Sequence, residues 1–237
     1  MLSVTLCQGE LMSRAKLIEA GPLSMRRSAG SRKSVAFDVE YLVNALIAFA
    51  ILVFVAPLMV AVAMAVFLED GGPILFAHKR VGRGGRSFPC LKFRSMAVDA
   101  EARLEQVLAA DPSARAEWAA NHKLQSDPRI TAVGDFLRRS SLDELPQLLN
   151  VLRGEMSLVG PRPVVQAEAA HYGHWFDSYC AVRPGITGLW QVSGRSDIDY
   201  RQRVALDVLY VRRKCLSMDF TILVRTVPAV LLRRGSY

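Results

Sequence analysis

One long apolar stretch stands apart from the rest of the chain. Between Tyr41 and Leu68 the sequence runs for 28 residues without a charged side chain, and Asn44 is its only strongly polar residue. About 20 apolar residues in a helix are enough to cross the hydrocarbon core of a bilayer. The stretch therefore predicts a membrane helix. It is longer than the roughly 7–15 apolar residues of a cleaved signal peptide and follows a polar segment, which argues against a leader.

The pattern beyond this stretch predicts a small hairpin followed by helices. Apolar runs at residues 74–81 and 87–93 flank the glycine-rich turn at residues 82–85, as in a β-hairpin. A phosphate-binding loop is the other interpretation of these glycines, but the Lys-Ser/Thr of a P-loop and a GxGxxG pattern are both missing. Helical spacing and helix-stop signals recur at residues 97–110, 113–123, 131–139, 141–154, 196–213 and 218–232. We therefore predict an α+β fold that is mostly helical.

Basic residues on both sides of the apolar run indicate on which side of the membrane its two ends lie. They are Arg26, Arg27, Arg32 and Lys33 before it, and Lys79, Arg80, Arg83, Arg86, Lys92 and Arg94 after it. Because positive flanks favour the cytoplasmic side, both ends of the run should face the cytoplasm. Pro57, near its middle, lacks a backbone N–H and bends a helix. We predict a re-entrant, Pro-broken helix at residues 37–70, with a kinked single crossing as the alternative.

The net charge limits the kinds of binding partner, and the cysteine content limits the kinds of metal or disulfide site. The chain carries 30 Lys+Arg against 22 Asp+Glu, a net charge of +8, which fits nucleic acid, an anionic membrane or phosphorylated substrates. Its four cysteines are far apart and form no CxxC pair, so the sequence indicates neither a zinc knuckle nor a disulfide framework. We predict a basic, disordered tail at residues 1–36 that suits anionic lipids, and a cytoplasmic domain at residues 71–237.

An acidic pair beside a proline is the sharpest local feature. In Ser141-Leu142-Asp143-Glu144-Leu145-Pro146-Gln147, Pro146 fits only the first turn of a helix, which predicts a helix beginning around Asp143. Asp143 would then be an N-cap and Glu144 a favourable first-turn acid, together worth about 1–2 kcal/mol. A cap at Ser141 is the alternative, but it would push Pro146 past the first turn.

Rigid turns that present arginines surround this acidic pair. They are Gly160-Pro161-Arg162-Pro163, Arg183-Pro184-Gly185-Ile186-Thr187-Gly188 and Gln191-Val192-Ser193-Gly194-Arg195. The planar guanidinium group binds phosphate bidentately, so this pattern suits a pyrophosphate-bearing substrate. Two carboxylates beside phosphate-binding groups usually work with Mg²⁺.

Three motifs carry a family resemblance. Lys92-Phe93-Arg94-Ser95-Met96, residues 137–163 and residues 183–195 resemble the bacterial sugar transferases, the monotopic polyprenol-phosphate phosphoglycosyltransferases, over about residues 37–237. The resemblance implies a re-entrant helix in the bacterial inner membrane and a catalytic domain with interfacial helices on the cytoplasmic face. Ala56, where serine is frequent, and Cys215-Leu216, where Trp-Ser is frequent, depart from the family pattern. The short chain is similar to the exopolysaccharide-priming type, which transfers galactose- or glucose-1-phosphate.

The resemblance also implies a mechanism and its residues. Asp143 attacks the β-phosphorus of a UDP-sugar, UMP leaves, and undecaprenyl phosphate then attacks the phosphosugar-aspartyl intermediate. Glu144 helps Asp143 to hold Mg²⁺ or serves as a base. The expected substrate-binding residues are Lys92, Arg94, Arg139, Arg162, Pro163, Arg183, Pro184, Gly185, Thr187, Gln191 and Arg195. The expected partners are the UDP-sugar, undecaprenyl phosphate and anionic lipids, with a homodimer left open and no nucleic acid.

Two functions of other classes compete with this interpretation. A membrane-tethered nucleic-acid-binding protein would explain the basic charge, but the sequence has no aromatic-studded basic strand or recognition motif. A non-catalytic scaffold for polysaccharide assembly is the second, and the intact carboxylates and arginines argue against it.

Overall fold

The longest element is a helix that begins close to the first described residue. The computed structural model describes residues 38–121, 124–193 and 198–231, so the predicted tail at residues 1–36 and the predicted ligand Arg195 lie outside it. Helix α1 (Val39–Asp70) contains Pro57, and Asp38 caps it by accepting a hydrogen bond from the Tyr41 N–H. Within the described ranges it is the one helix long and apolar enough to cross a membrane. The predicted long apolar helix is confirmed.

A β-hairpin follows α1, as the alternation predicts. Strands β1 (Leu75–Val81) and β2 (Ser87–Phe93) are antiparallel. The short 3₁₀ turn Arg83–Gly85 joins them, and Gly84 and Gly85 both adopt the left-handed conformation that glycine tolerates. This turn is part of the hairpin, which supports that interpretation of the glycines.

Helices make up most of the remaining described chain, so the mostly helical prediction is confirmed. The helices α2 and α3 meet at Asp111, whose carboxylate accepts a hydrogen bond from the Ser113 N–H (2.8 Å) at the start of α3. The bounds are α2 (Ala100–Ala110), α3 (Pro112–Asn121), α4 (Ala132–Ser140), α5 (Gln147–Leu152), α6 (Ala169–Tyr172), α7 (Phe176–Cys180), α8 (Leu189–Ser193), α9 (Tyr200–Arg213) and α10 (Leu216–Leu231).

A second, parallel pair of strands lies beside the helices and was not predicted. Strands β3 (Ser157–Val159) and β4 (Gly185–Thr187) pair with Ser157 opposite Gly185 and Val159 opposite Thr187. A Cβ at Gly185 would lie 2.1 Å from the backbone nitrogen of Gly160, so glycine is required for this close approach. Strands of three residues are too short to show an alternating pattern, so sequence periodicity could not predict them.

Helix α1 contributes directly to the hydrophobic core. Val62 and Val66, in its second half, are buried against Phe93 of β2 and Leu137 of α4. Ala48, in its first half, belongs to the larger cluster that joins β2, α5, β3, α9 and α10. Helix α1 therefore shares a hydrophobic core with the described elements that follow it.

Polar contacts fasten both ends of α1 to the same domain. Near the first end, the Tyr41 hydroxyl donates to the Leu152 carbonyl (2.8 Å), and the Leu158 N–H donates to Asn44 Oδ1 (2.8 Å). Near the second end, the Val133 N–H donates to the Glu69 carboxylate (3.1 Å). Asn44, the one strongly polar residue of the apolar run, thus satisfies a backbone donor of β3.

A buried carboxyl group in α9 makes the stability of the fold depend on pH. Asp207 is 1% exposed and accepts a hydrogen bond from the Tyr172 hydroxyl (2.8 Å). Burial raises the pKa of Asp207 to about 7, from an ordinary value of 3.8. Between these two values the folded protein holds a proton that the unfolded chain has released, so stability falls as pH rises from about 4 to about 7 and then levels off.

We expect Asp207→Asn to remove this part of the pH dependence. Asparagine can still accept the Tyr172 hydrogen bond but does not titrate, so the variant should lose up to about 4 kcal/mol of pH-dependent stability change. Thermal unfolding in detergent between pH 4 and pH 8 measures it, with the wild type as reference for all other titrating groups. An equally steep decline in both proteins would show that Asp207 is not responsible.

Candidate active site

The acidic pair lies in a tight turn between two helices. Helix α4 ends at Ser140, Ser141 adopts a left-handed conformation (φ 58°), and the 3₁₀ turn Leu142–Glu144 follows. Helical structure thus begins next to Asp143, as predicted, but as a 3₁₀ turn, and the α-helix α5 begins only at Gln147, directly after Pro146. No side chain caps either the 3₁₀ turn or α5. Asp143 is therefore not held in place as a helix cap.

Two cations hold the acidic pair instead. Lys92 Nζ of β2 lies 2.7 Å from Glu144 Oε1 and 3.4 Å from Asp143 Oδ2. Arg162 Nη2 lies 3.1 Å from the same Glu144 oxygen. The structure thus brings together four of the predicted site residues, two carboxylates and two cations.

The two carboxyl groups have different electrostatic environments. Burial would raise the pKa of Glu144, but Arg162 and Lys92 outweigh it and lower that pKa to about 2. Burial raises the pKa of Asp143, and Lys92 offsets this only in part. Glu144 is therefore an anion paired with two cations. Asp143 has the higher pKa relative to its ordinary value and makes only the longer contact, 3.4 Å, to Lys92.

A buried amide fixes the strand that carries Lys92. Asn150 of α5 is fully buried, and its side chain accepts from the Leu91 N–H (3.0 Å) and donates to the Pro89 carbonyl (2.8 Å). The Asn150 amide thus pairs with backbone groups of β2 in the way that a neighbouring strand would. Sequence reasoning missed this residue, and the available signal was a polar side chain inside the apolar run of α5.

The turn that carries Arg162 is fastened to the other strand of the hairpin. The Val81 N–H donates to the Val164 carbonyl (2.9 Å), and Arg80 Nη1 donates to the Pro163 carbonyl (3.2 Å). The Tyr179 hydroxyl donates to the Val81 carbonyl (2.7 Å). Pro163, a predicted substrate residue, is buried and contributes through its backbone. The hairpin therefore positions both cations of the site.

Two further arginines, absent from the predicted site, lie close to its charged groups: Arg80 is near Arg162, and Arg138 is near Asp143. The charge of Arg162 is close enough to Arg80 to add to the lowering of its pKa, which burial chiefly causes. Burial likewise lowers the pKa of Arg138, and the nearby Asp143 opposes it. Arg138 Nε donates to Ser95 Oγ (2.8 Å). Arg80 and Lys92 lie on the same face of the hairpin, so the alternation of the two strands could have identified Arg80 from the sequence.

Three predicted substrate-binding arginines contact other parts of the fold. Arg94 binds Asp70 at the end of α1 and the Val66 carbonyl (3.3 Å). Arg183 binds Asp38 (2.7 Å) and the Gly154 carbonyl (2.9 Å) near the start of α1. Arg139 pairs with Asp135 on the exposed side of α4. Their assignment to the substrate stays a prediction, since each already has a protein partner.

The remaining predicted residues lie around β4. The Pro184 carbonyl accepts from the Ser157 N–H (2.8 Å), and the Gly185 N–H donates to the Pro161 carbonyl (2.8 Å). Thr187 Oγ1 hydrogen-bonds Thr226 Oγ1 of α10 (2.8 Å), and Gln191 Nε2 donates to the Ile186 carbonyl (3.3 Å). Through the hydrogen bond to Pro161, this segment contacts the turn that carries Arg162. Direct contact of these residues with the substrate stays a prediction.

The predicted magnesium site can be compared with the side chains of the acidic turn. Across the described ranges, no group of three or more His, Cys, Asp or Glu side chains converges on a metal position. Mg²⁺ commonly binds through one or two carboxylates plus substrate phosphates and water, so a full protein cage is not needed. Asp143, with its longer contact to Lys92, and Glu144 fit this arrangement.

Comparison with known proteins identifies the family. The model of the bacterial sugar transferases matches residues 33–233, which is most of the chain. The chain belongs to the bacterial sugar transferase family. Its acidic turn, Lys92 and Arg162 all fall inside the matched region.

Relatives of this transferase come from several bacteria. The undecaprenyl-phosphate galactose phosphotransferase of Salmonella typhimurium is 54% identical over 79% of this chain, which spans 39% of the relative's length. The exopolysaccharide production protein ExoY of Sinorhizobium fredii is 47% identical over 89% of this chain and 91% of its own length. The UDP-glucose:undecaprenyl-phosphate glucose-1-phosphate transferase of Caulobacter vibrioides is 39% identical over 93% of this chain and 81% of its own length.

Proposed function

We propose that this transferase moves a hexose-1-phosphate, galactose or glucose, from a UDP-sugar to undecaprenyl phosphate and releases UMP. The observation that carries the proposal is the acidic turn, in which Glu144 binds two cations while the buried Asp143 keeps a freer oxygen. The names of the relatives support the carrier and the two sugars. The name of ExoY supports a role at the start of exopolysaccharide synthesis.

The two carboxylates then have separate roles. An Asp143 oxygen attacks the β-phosphorus, the bond from that phosphorus to the bridging oxygen breaks, and UMP leaves with the electron pair. A phosphate oxygen of undecaprenyl phosphate attacks the same phosphorus, and the bond to Asp143 breaks to restore the carboxylate. Lys92 and Arg162 stabilise the negative charge that develops on the phosphoryl oxygens. Glu144 orients both cations.

Magnesium is part of the proposal. Asp143 and Glu144 would hold the ion together with the pyrophosphate, and it would neutralise the repulsion between a carboxylate nucleophile and an anionic substrate. The two carboxylates and their partial pairing with Lys92 support this assignment.

Release of UMP tests the proposed reaction. Purified protein in detergent or nanodiscs, incubated with undecaprenyl phosphate and a panel of UDP-sugars, should release UMP with UDP-galactose or UDP-glucose and form a lipid-linked sugar diphosphate. Release of UDP or of free sugar, or no release with any donor, would overturn the proposal.

We also propose that α1 is re-entrant in the inner membrane and leaves the catalytic domain on the cytoplasmic face. The contacts of Tyr41, Asn44 and Glu69 support this, because they fasten both ends of α1 to one domain. A straight helix of 32 residues would be about 48 Å long at a rise of about 1.5 Å per residue, more than a core of about 30 Å requires. The basic residues on both flanks favour the same side.

Single reporter cysteines test this topology. Placed at Ser28 and at Ser87 in a protein without its native cysteines, both are expected to resist a membrane-impermeant thiol reagent applied from the periplasm. Pro57→Leu should restore a straight helix and expose one of the two positions. Labelling of one position in the parent protein would establish a single crossing. Full protection in the Pro57→Leu variant would mean that charge alone sets the topology.

A further inference from the structure

The catalytic turn rests directly on the membrane helix. Leu142 and Leu145, which flank the acidic pair, pack with Val62 and Val66 of α1 in one hydrophobic cluster. Ile74, just before β1, packs against the same cluster. Apolar side chains therefore connect the second half of α1 with both the acidic turn and the start of the hairpin.

An exposed aromatic ring continues this apolar path to the catalytic lysine. Phe76 of β1 is paired directly with Lys92 of β2. Directly opposed residues of an antiparallel pair lie on the same face of the sheet, so the Phe76 ring neighbours the Lys92 side chain. Ile74 lies two residues before Phe76, in the bend that leads into β1, and packs on the cluster that contains Val62 and Val66 of α1. Phe76 is nevertheless 53% exposed, so no protein side chain covers its ring fully.

We propose that Phe76 binds the isoprenoid end of the lipid acceptor next to its phosphate. The ligand is amphipathic, with a long hydrocarbon chain ending in an anionic phosphate. The exposed Phe76 ring lies beside the positive charge of Lys92, and the chain just before it packs on α1 through Ile74. Apolar surface next to a cation matches a hydrocarbon chain that ends in a phosphate. This subsite rests on the proposed function, since it names the residue that orients the acceptor for attack on the Asp143 intermediate.

Measuring the two half-reactions separately distinguishes an effect on acceptor binding from an effect on donor binding. UMP release in a single turnover with the UDP-sugar alone reports the first displacement, which needs no acceptor. Steady-state turnover with undecaprenyl phosphate reports both. Phe76→Ala should keep the single-turnover rate within about twofold and raise the KM for undecaprenyl phosphate at least about tenfold, because the variant loses a large apolar contact. Phe76→Leu, which retains an apolar side chain, should recover most of the loss.

Leu75→Ala is the matched control. Leu75 is the preceding residue, is 42% exposed, and pairs with Phe93 on the opposite face of the hairpin. Its variant should leave both half-reactions unchanged. An equal increase in KM in the Leu75 and Phe76 variants would assign Phe76 to general membrane contact and overturn the subsite.

Two further outcomes are decisive. A slower first displacement, or a raised KM for the UDP-sugar in Phe76→Ala, would place the nucleotide on this ring and overturn the acceptor subsite. An unchanged KM for undecaprenyl phosphate in an active Phe76→Ala protein would also overturn it, while leaving the proposed function intact. Absence of UMP release from the wild type would instead remove the proposed function itself.

Discussion

Asp143→Asn is expected to lower transfer by at least about 10³-fold while leaving the fold intact. The amide has the shape of the carboxylate but cannot act as the phosphoryl-accepting nucleophile, and losing a covalent nucleophile costs enzymes rates of this order or more. Asp143 caps no helix, so no cap is lost. UMP release and lipid product measure the activity, and thermal unfolding measures the fold.

Asp135→Asn is the control for this substitution. Asp135 lies on the neighbouring helix α4 and pairs with Arg139 at the surface, so its amide variant should retain normal transfer. Substantial turnover by pure Asp143→Asn protein would show that the carboxylate is not the nucleophile. The proposed two-step mechanism would then have to be abandoned.

Removal of divalent cations is expected to lower transfer at least about 100-fold, and added Mg²⁺ should restore it. Lys92 and Arg162 are already bonded to Glu144. The pyrophosphate and Asp143 would therefore meet with too little positive charge between them unless a metal ion is present. Transfer is measured in chelator-treated buffer before and after titration with Mg²⁺.

The thermal stability of the protein in chelator serves as the control for the metal experiment. The described part of the chain has no group of three metal-binding side chains, so chelation should leave the unfolding temperature unchanged in the absence of substrate. Full activity in exhaustively chelated buffer would exclude magnesium from the mechanism.

The elements that the sequence predicts well are those whose signals are local. The apolar run over α1 and the alternation around residues 82–85 each depend on neighbouring residues, so length and spacing were sufficient. The acidic turn was only partly predictable. Pro146 correctly indicated a helix start, but a 3₁₀ turn occupies Leu142–Glu144 and α5 begins only at Gln147. A serine at position 141 does not indicate its left-handed conformation in advance.

The partners of the arginines could not be read from the sequence. Arg183 binds Asp38, 145 positions away along the chain, and Lys92 binds Glu144, 52 positions away. From the sequence alone, Lys92 and the arginines of the rigid turns are therefore equivalent as candidate phosphate ligands. Only the fold distinguishes Arg162, which faces the acidic pair, from Arg94 and Arg183, which fasten the ends of α1.

The packing of Leu142 and Leu145 on Val62 and Val66 affects how the enzyme matures. Helix α1 is synthesised before the acidic turn and provides part of the apolar surface on which the turn packs. The turn therefore gains this support only once α1 has folded, which in the proposed topology means once α1 has inserted into the membrane. Exchange of α1 for an unrelated membrane anchor of equal length would keep the protein at the bilayer but leave the catalytic turn without its support.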